Sequence, residues 1–230
     1  MKKTYLIFEI LMLAALTGLI CAFQNDKPLL TVTLKSSASL CFVLTGVCGW
    51  VSQKDNRKFS QTMLAAFACS MAGDVLLALD KNQGILFILG VVCFAAAHVL
   101  FSISFCRMQP VTKKDIITTV GVFFALLFIL MLGTFDFQGL LPVIIAYAAI
   151  ISFMTVKALS LKKCRQPGTK TSALIMSGGV LFLLSDIVLL FWLFGIQTPK
   201  EAQSFNWVLY YLAQGCLAGS LSFLYPANRF

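Results

Sequence analysis

The stretch LFLLSDIVLLFWLFG, residues 181–195, holds one carboxylate, Asp186, inside an almost unbroken apolar run. Leu, Phe, Ile, Val and Trp on both sides suit hydrocarbon. An ionised Asp near the middle of such a segment costs roughly 2.5–3.5 kcal/mol on insertion scales. The segment therefore predicts a transmembrane helix, and its Asp demands a partner or a task.

The whole chain follows this pattern. Of 230 residues, 59% are hydrophobic and 12% charged, with a mean hydropathy of +0.90. Soluble domains are about one-quarter charged, so the composition predicts an all-α, polytopic membrane protein. Cutting at polar and Pro/Gly punctuation leaves eight runs near the roughly 20 residues needed to span hydrocarbon. They cover 4–23, 29–51, 59–79, 84–106, 115–133, 139–160, 172–195 and 203–224. The separators, such as QNDKP, DKNQ and LKKCRQPGTK, are too short for a second domain, so a single eight-helix transmembrane domain is expected. MKKTYLIFEILMLAALTGLICAF at the start resembles a signal peptide. Its length, Glu9 and the lack of an A-x-A-like cleavage site favour a retained first helix.

The formal net charge of +9 follows topology rather than nucleic acid. Fourteen cations fall in the N-terminus, the even loops and the C-terminus: Lys2, Lys3, Lys54, Arg57, Lys58, Arg107, Lys113, Lys114, Lys157, Lys162, Lys163, Arg165, Lys170 and Arg229. Three, Lys27, Lys81 and Lys200, fall in the odd loops, and Lys35 lies inside the second run. This positive-inside bias predicts that both termini are cytoplasmic. A compact, loop-poor chain of this kind suits a bacterial inner membrane.

Eight cysteines without a CxxC, five of them within apolar runs, read as small packing residues rather than a disulfide framework. One histidine, His98, excludes a multi-His zinc site, and there is neither a GxSxG elbow nor a Gly-rich phosphate loop. MAGDVLLALD (71–80) and LLSDIVLLFW (183–192) share a small residue, an Asp and branched apolar residues, four helices apart. They suggest a parallel duplication of two four-helix halves.

Polar side chains at hydrocarbon depth are the candidate site. From the 1.5 Å helical rise, Asp74 lies about 8 Å below the outer end, Lys35 about 9 Å, Tyr147 about 12 Å, Asp186 about 14 Å and Gln214 about 15 Å. Five helices thus feed one layer in the outer half. His98 comes out nearer the inner half, at about 21 Å, and Glu9 reads as an interfacial charge. Tyr210 and Tyr211 are possible partners. Low dielectric disfavours a charged carboxyl, so one acid can keep its proton as a donor while a second stays ionised beside Lys35. Such a pair suits acid–base hydrolysis. It equally suits a proton-coupled carrier of a lipid-like or small-molecule substrate, and the residues alone leave both readings open.

The order of these fragments resembles the lysoplasmalogenase-like (YhhN) family. AGDVLLALDKNQGILFILGVVCFAAAHVLF (72–101) resembles its Gly-Asp segment followed by F-x-x-G and a helix-borne His. GGVLFLLSDIVLL (178–190) resembles its Gly-x-x-x-F-x-x-Ser-Asp segment, and YYLAQG (210–215) its Tyr-x-x-Ala-Gln. Lys35 and Tyr147 stand at its Lys in helix two and Tyr in helix six. Phe101 departs, standing where a Tyr is expected three residues after the His. The resemblance implies hydrolysis of the vinyl-ether bond of a lysoplasmalogen, a lysophospholipid drawn from membrane lipid; no cofactor and no metal are expected. It implies Asp74 and Asp186 as the catalytic acids. Asp186, deeper and more desolvated, is expected to donate the proton, and Asp74, nearer Lys35, to be the charged partner. Lys35, His98, Tyr147, Ser185, Tyr211 and Gln214 would bind or orient substrate and water.

Overall fold

The computed structural model describes residues 4–52, 56–80, 84–163 and 168–224. Among them are eight α-helices: α1 Thr4–Gln24, α2 Pro28–Ser52, α3 Arg57–Leu79, α4 Ile85–Met108, α5 Lys113–Leu132, α6 Leu141–Ser160, α7 Thr169–Phe194 and α8 Glu201–Ser220. Two single 3-10 turns follow α6 and α8, at Leu161–Lys163 and Leu221–Phe223. Lys2, Lys3, Lys54, Lys81, Arg165 and Arg229, used above for orientation, lie outside the described residues, and of Lys163 only the backbone is described.

Seven of the helices are long and apolar enough to cross a membrane, so the chain is an integral membrane protein. The exception, α8, has the length but carries Gln203, Asn206, Tyr210, Tyr211 and Gln214, all buried. It is the most enclosed helix, packed against α7, α2 and α1. Its polar groups face protein, where lipid does not charge for them.

Helix ends show local chemistry. α5 begins at Lys113, two residues before the apolar run, because Thr112 and Asp115 form a reciprocal capping box. Here Asp115 N–H donates to Thr112 Oγ1 at 3.2 Å, and Thr112 N–H donates to Asp115 Oδ2 at 2.9 Å. Asp115 is also ion-paired with Lys157 of α6 at 3.0 Å, and that lysine, fully buried, donates further to the Pro110 carbonyl. α5 packs chiefly against α6, so this one end fixes much of its position. α7 starts three residues before its apolar run, at Thr169. Before it stands Gly168, with φ of 105°, a backbone that favours glycine.

Consecutive helices form three close hairpins, α1–α2, α3–α4 and α7–α8, and α6 packs between α4 and α7. Tyr5 and Phe223 meet edge to face at 5.9 Å, so both ends of the described chain lie at the face of the even loops. Asp74 and Asp186 sit near the odd-loop ends of the corresponding helices α3 and α7. Beyond this the halves differ, since α1 also packs on α8.

Small residues set the closest approaches. A Cβ on Gly178 of α7 would lie 2.7 Å from Leu217 Cγ and 3.0 Å from the Ala213 carbonyl of α8. One on Gly49 of α2 would lie 2.5 Å from Leu221 Cβ and 3.0 Å from the Leu221 carbonyl carbon. Backbone in a 3-10 turn cannot step aside. Gly49→Ala is expected to destabilise the bundle by about 1–3 kcal/mol, the usual range for overpacking. A thermal melt in detergent that matched the parent would contradict this contact.

The even-loop half of the core is rich in aromatic rings. Phe42, Phe67, Phe101, Phe105 and Phe182 are all completely buried. Phe101 packs on Phe67 at 5.4 Å and stacks on Phe105 at 6.2 Å. A hydroxyl three residues after His98 would therefore project into this core, so the Phe101 departure touches packing rather than a ligand wall.

Candidate active site

The odd-loop half of the bundle holds a cavity of about 970 Å³. Its walls come from α1, α2, α3, α4, α7 and α8, and its rim from Asp26, Lys27 and Asp80 of the odd loops. Both carboxylates, Asp74 and Asp186, face it, together with Lys35, Ser185, Asn206 and Tyr210. Most of the remaining wall is apolar, notably Phe23, Leu77, Phe94, Trp192 and Trp207.

Around Asp74 the donors are numerous. Lys35 Nζ lies 3.4 Å from Oδ1. Oδ2 accepts from Ser39 at 2.7 Å and from Tyr210 at 2.6 Å. Ser39 is one turn along α2 from Lys35, which puts both on the same face. Gln214 Nε2 donates to Tyr210 Oη at 3.2 Å. Tyr211, on the neighbouring face of α8, donates to the Lys35 carbonyl at 3.0 Å and clamps α2 to α8. The ammonium and two hydroxyls together supply both Asp74 oxygens with a partner.

Asp186 is differently served. Its Oδ2 accepts from Tyr147 of α6 at 3.0 Å and lies 3.3 Å from His98 Nε2 of α4. Tyr147 Oη is 2.8 Å from the same His98 nitrogen, so the three groups form a closed triangle. His98 is completely buried, against Phe182 at 4.6 Å, and its Nδ1 has no hydrogen-bond partner among the described residues. No lysine or arginine pairs with Asp186 among the described residues.

Two expectations are corrected. Asp186 is the less enclosed acid: its side chain is 12% exposed against 2% for Asp74. It sits deeper along its helix, and both acids line the cavity, but Asp74 is more crowded by its donors. His98 belongs to the same layer as the other groups rather than to the inner half. Side chains lean toward the N-terminus of their helix. That direction is toward the odd loops on α4 and away from them on α7, so His98 and Asp186 converge although their Cα depths differ.

The remaining residues sort by position. Lys35 and Ser185 reach the cavity wall, although the Ser185 hydroxyl is spent on the Phe182 carbonyl at 2.8 Å. The Ser185 carbonyl accepts from Asn206 at 2.7 Å. His98, Tyr147, Tyr211 and Gln214 stand behind the wall and hold the groups that form it. Ser39 and Asn206 join the site without having been singled out, and Tyr210, expected as a possible partner, is part of the cavity wall. For Tyr210 and Ser39 the signal was present in their four-residue spacing from Gln214 and Lys35.

At the rim, loop one is tied to loop seven. Lys200 pairs with Asp26 at 2.6 Å and lies 5.0 Å above the Phe23 ring, which in turn meets Trp207 at 5.0 Å and Trp192 at 6.2 Å. Both charges are exposed, so the pair adds little stability, but the ring contacts close that side of the mouth. The α5–α6 loop closes another side. Asp136 N–H donates to the Phe194 carbonyl at 2.8 Å, and Phe194 of α7 meets Phe137 of that loop in a tilted contact at 5.8 Å and Phe87 of α4 edge to face at 6.3 Å.

The eight-helix bundle, the Lys35–Asp74 pair and the Asp186–His98–Tyr147 triangle give this fold a polar site in its odd-loop half. No curated protein and no solved structure matches the chain. Residues 30–221, from the start of α2 to the end of α8, match the YhhN family, and the chain belongs to that family.

Proposed function

We propose that the protein is an intramembrane hydrolase that cleaves the vinyl-ether bond of lysoplasmalogens to a fatty aldehyde and a glycerophospho-base. The observation that carries this reading is the unequal treatment of two carboxylates facing one cavity. Asp74 is held by an ammonium and two hydroxyls, whereas Asp186 has one hydroxyl donor beside a histidine. An ionised acid and a proton-bearing acid are the pair that this hydrolysis needs.

In the proposed reaction Asp186 gives its proton to the alkene carbon remote from the ether oxygen. The adjacent carbon becomes an oxocarbenium ion, stabilised by the Asp74 carboxylate across the cavity. Water adds to that carbon and its surplus proton returns to Asp186. The resulting hemiacetal breaks its bond to the glycerol oxygen, which leaves as the alcohol, and the aldehyde departs. One water is consumed and both acids return to their starting states. His98 and Tyr147 fix the Asp186 carboxyl, and Lys35, Ser39 and Tyr210 fix Asp74. Lys27, exposed on the rim, would meet the headgroup phosphate.

We place the odd-loop face outside and both termini in the cytoplasm, in a bacterial inner membrane, on the strength of the cation bias. The cavity would then receive lipid from the outer leaflet. Its wall residues all lie in the odd-loop half, which fits one-sided substrate access better than a carrier's alternating access.

The direct test is aldehyde release by the purified protein in detergent. A lysoplasmenyl-ethanolamine is compared with its saturated alkyl-ether counterpart, which has no alkene to protonate. Aldehyde from the first and none from the second supports the reading. A folded protein that binds both lipids and turns over neither would end it.

A further inference from the structure

The hydrocarbon chain of a lipid in this site needs somewhere to go. Asp74 lies five residues before the end of α3, and Asp186 eight before the end of α7, about 8 and 12 Å below the odd-loop face. The cavity ends there, on Phe94 and Tyr210, with Phe182 and Phe67 packed beneath. One leaflet of hydrocarbon is about 15 Å deep. A long chain whose head is at the rim and whose first carbons are at the acids therefore cannot continue downward. It has to leave sideways.

The cavity is shut on most sides. The α4–α7 side is covered by α6 and by Phe87, Phe194 and Phe137. The α1–α8 side is covered by Phe23, Trp192 and Trp207. The hairpins α3–α4 and α7–α8 are closely packed.

The side between α2 and α3 is different. In their even-loop halves the two helices touch closely: a Cβ on Gly46 would sit 2.9 Å from the Phe67 ring, and Phe42 packs on Phe67 at 6.1 Å. Above the Lys35–Asp74 pair, the residues that these helices give to the cavity wall are open to the surface. Leu29, on the first turn of α2, and Leu79, on the last turn of α3, both at the odd-loop end, line the cavity, yet they are 81% and 52% exposed. A side chain that belongs at once to the cavity wall and to the lipid-facing surface marks a place where the two are continuous. Val32 and Leu77 extend the apolar lining inward from there, and Lys27 and Asp80 stand above it.

We propose that the gap between the odd-loop ends of α2 and α3 is a lateral portal, through which the hydrocarbon chain of a single-chain amphiphile lies while its polar head rests at the Lys27–Asp80 rim. This rests on the reading that the ligand is a lipid, but not on what is done to it. The portal has apolar jambs at Leu29 and Leu79, and its sill is the Lys35–Asp74 ion pair. A lipid sliding in from the bilayer thus brings the atoms next to its headgroup directly over the carboxylates. Two-chain lipids would have to pass a second chain through the same gap, which favours the single-chain class.

The test uses Trp207, 5% exposed and on the cavity wall, as a sole fluorescent reporter after Trp50→Phe and Trp192→Phe. In vesicles, a lysophosphatidylethanolamine brominated along a long chain should quench Trp207. The double variant Leu29→Phe/Leu79→Phe narrows the portal and should weaken that quenching by at least about tenfold in apparent affinity. Quenching by a short-chain, water-soluble brominated lysolipid, which enters by the rim, should change less than about twofold. Leu29→Ala/Leu79→Ala should keep both. Unchanged long-chain quenching in the Phe variant, equal loss of both ligands, or no quenching in the parent would each overturn the portal. Quenching by the parent without aldehyde release would instead defeat the hydrolase and leave the portal standing.

Discussion

Asp186→Asn is expected to abolish most aldehyde release, by about 10²–10⁴-fold, while leaving the bundle nearly as stable as the parent. The two halves of this expectation come from the same contacts. Asn keeps an oxygen to accept from Tyr147 and has no lysine or arginine to abandon, since none pairs with Asp186 among the described residues. What it lacks is a proton acidic enough to pass to carbon. Asp74→Asn should behave differently. It strips Lys35, 7% exposed, of its countercharge, and an uncompensated buried charge costs about 3–5 kcal/mol. Rate assays of both variants beside thermal melts in the same detergent separate the roles. An Asp186→Asn protein that hydrolyses at the parental rate would sink the assignment of that acid. One that melted as early as Asp74→Asn would show that the contrast between the two sites is false.

The second large effect lies far from the cavity. Lys157→Met is expected to destabilise the protein by about 3–5 kcal/mol, because it leaves Asp115 enclosed without its cation. The loss would concentrate in α5, whose packing runs chiefly through α6. Lys157→Met/Asp115→Asn should recover most of it. Asn at 115 still accepts from the Thr112 amide and completes the cap, and an apolar residue replaces the lysine in a dry site. Melting temperatures of the single and double variants decide the matter. A double variant no better than the single would mean that the ion pair, rather than the orphaned charge, sets the stability.

Much of this architecture is legible in the sequence, because the bilayer imposes a length and a polarity that each helix must meet. The eight apolar runs and the polar layer follow from that constraint alone. Side-chain direction is harder. His98 lies about two turns too deep by residue counting and reaches the layer only because α4 and α7 run in opposite directions. Adjacent residues on a helix point about 100° apart, so Tyr210 and Tyr211 are alike as letters. One meets Asp74 and the other the α2 backbone, and only the placement of α8 decides which. Exposure is harder still. How closely donors crowd an acid depends on neighbours that come from other helices, which is why Asp186 is deeper along its helix than Asp74 and yet more open. The start of α5 was readable: Thr112-Lys-Lys-Asp115 is a capping pattern, hidden among residues that otherwise look like a polar connection.

The aromatic half of the bundle has an electrical meaning. Where water fills a cavity open to one face, it carries the potential of that face down to its floor, so the transmembrane voltage would fall mainly across the buried layer of Phe42, Phe67, Phe101, Phe105 and Phe182. Moving a unit charge through the full field is worth about 2.3 kcal/mol per 100 mV. A proton exchanged between the cavity water and Asp186 crosses little of that field. In the proposed orientation the carboxylates work at the voltage of the outside solution, and the cell's energised membrane neither drives nor hinders them.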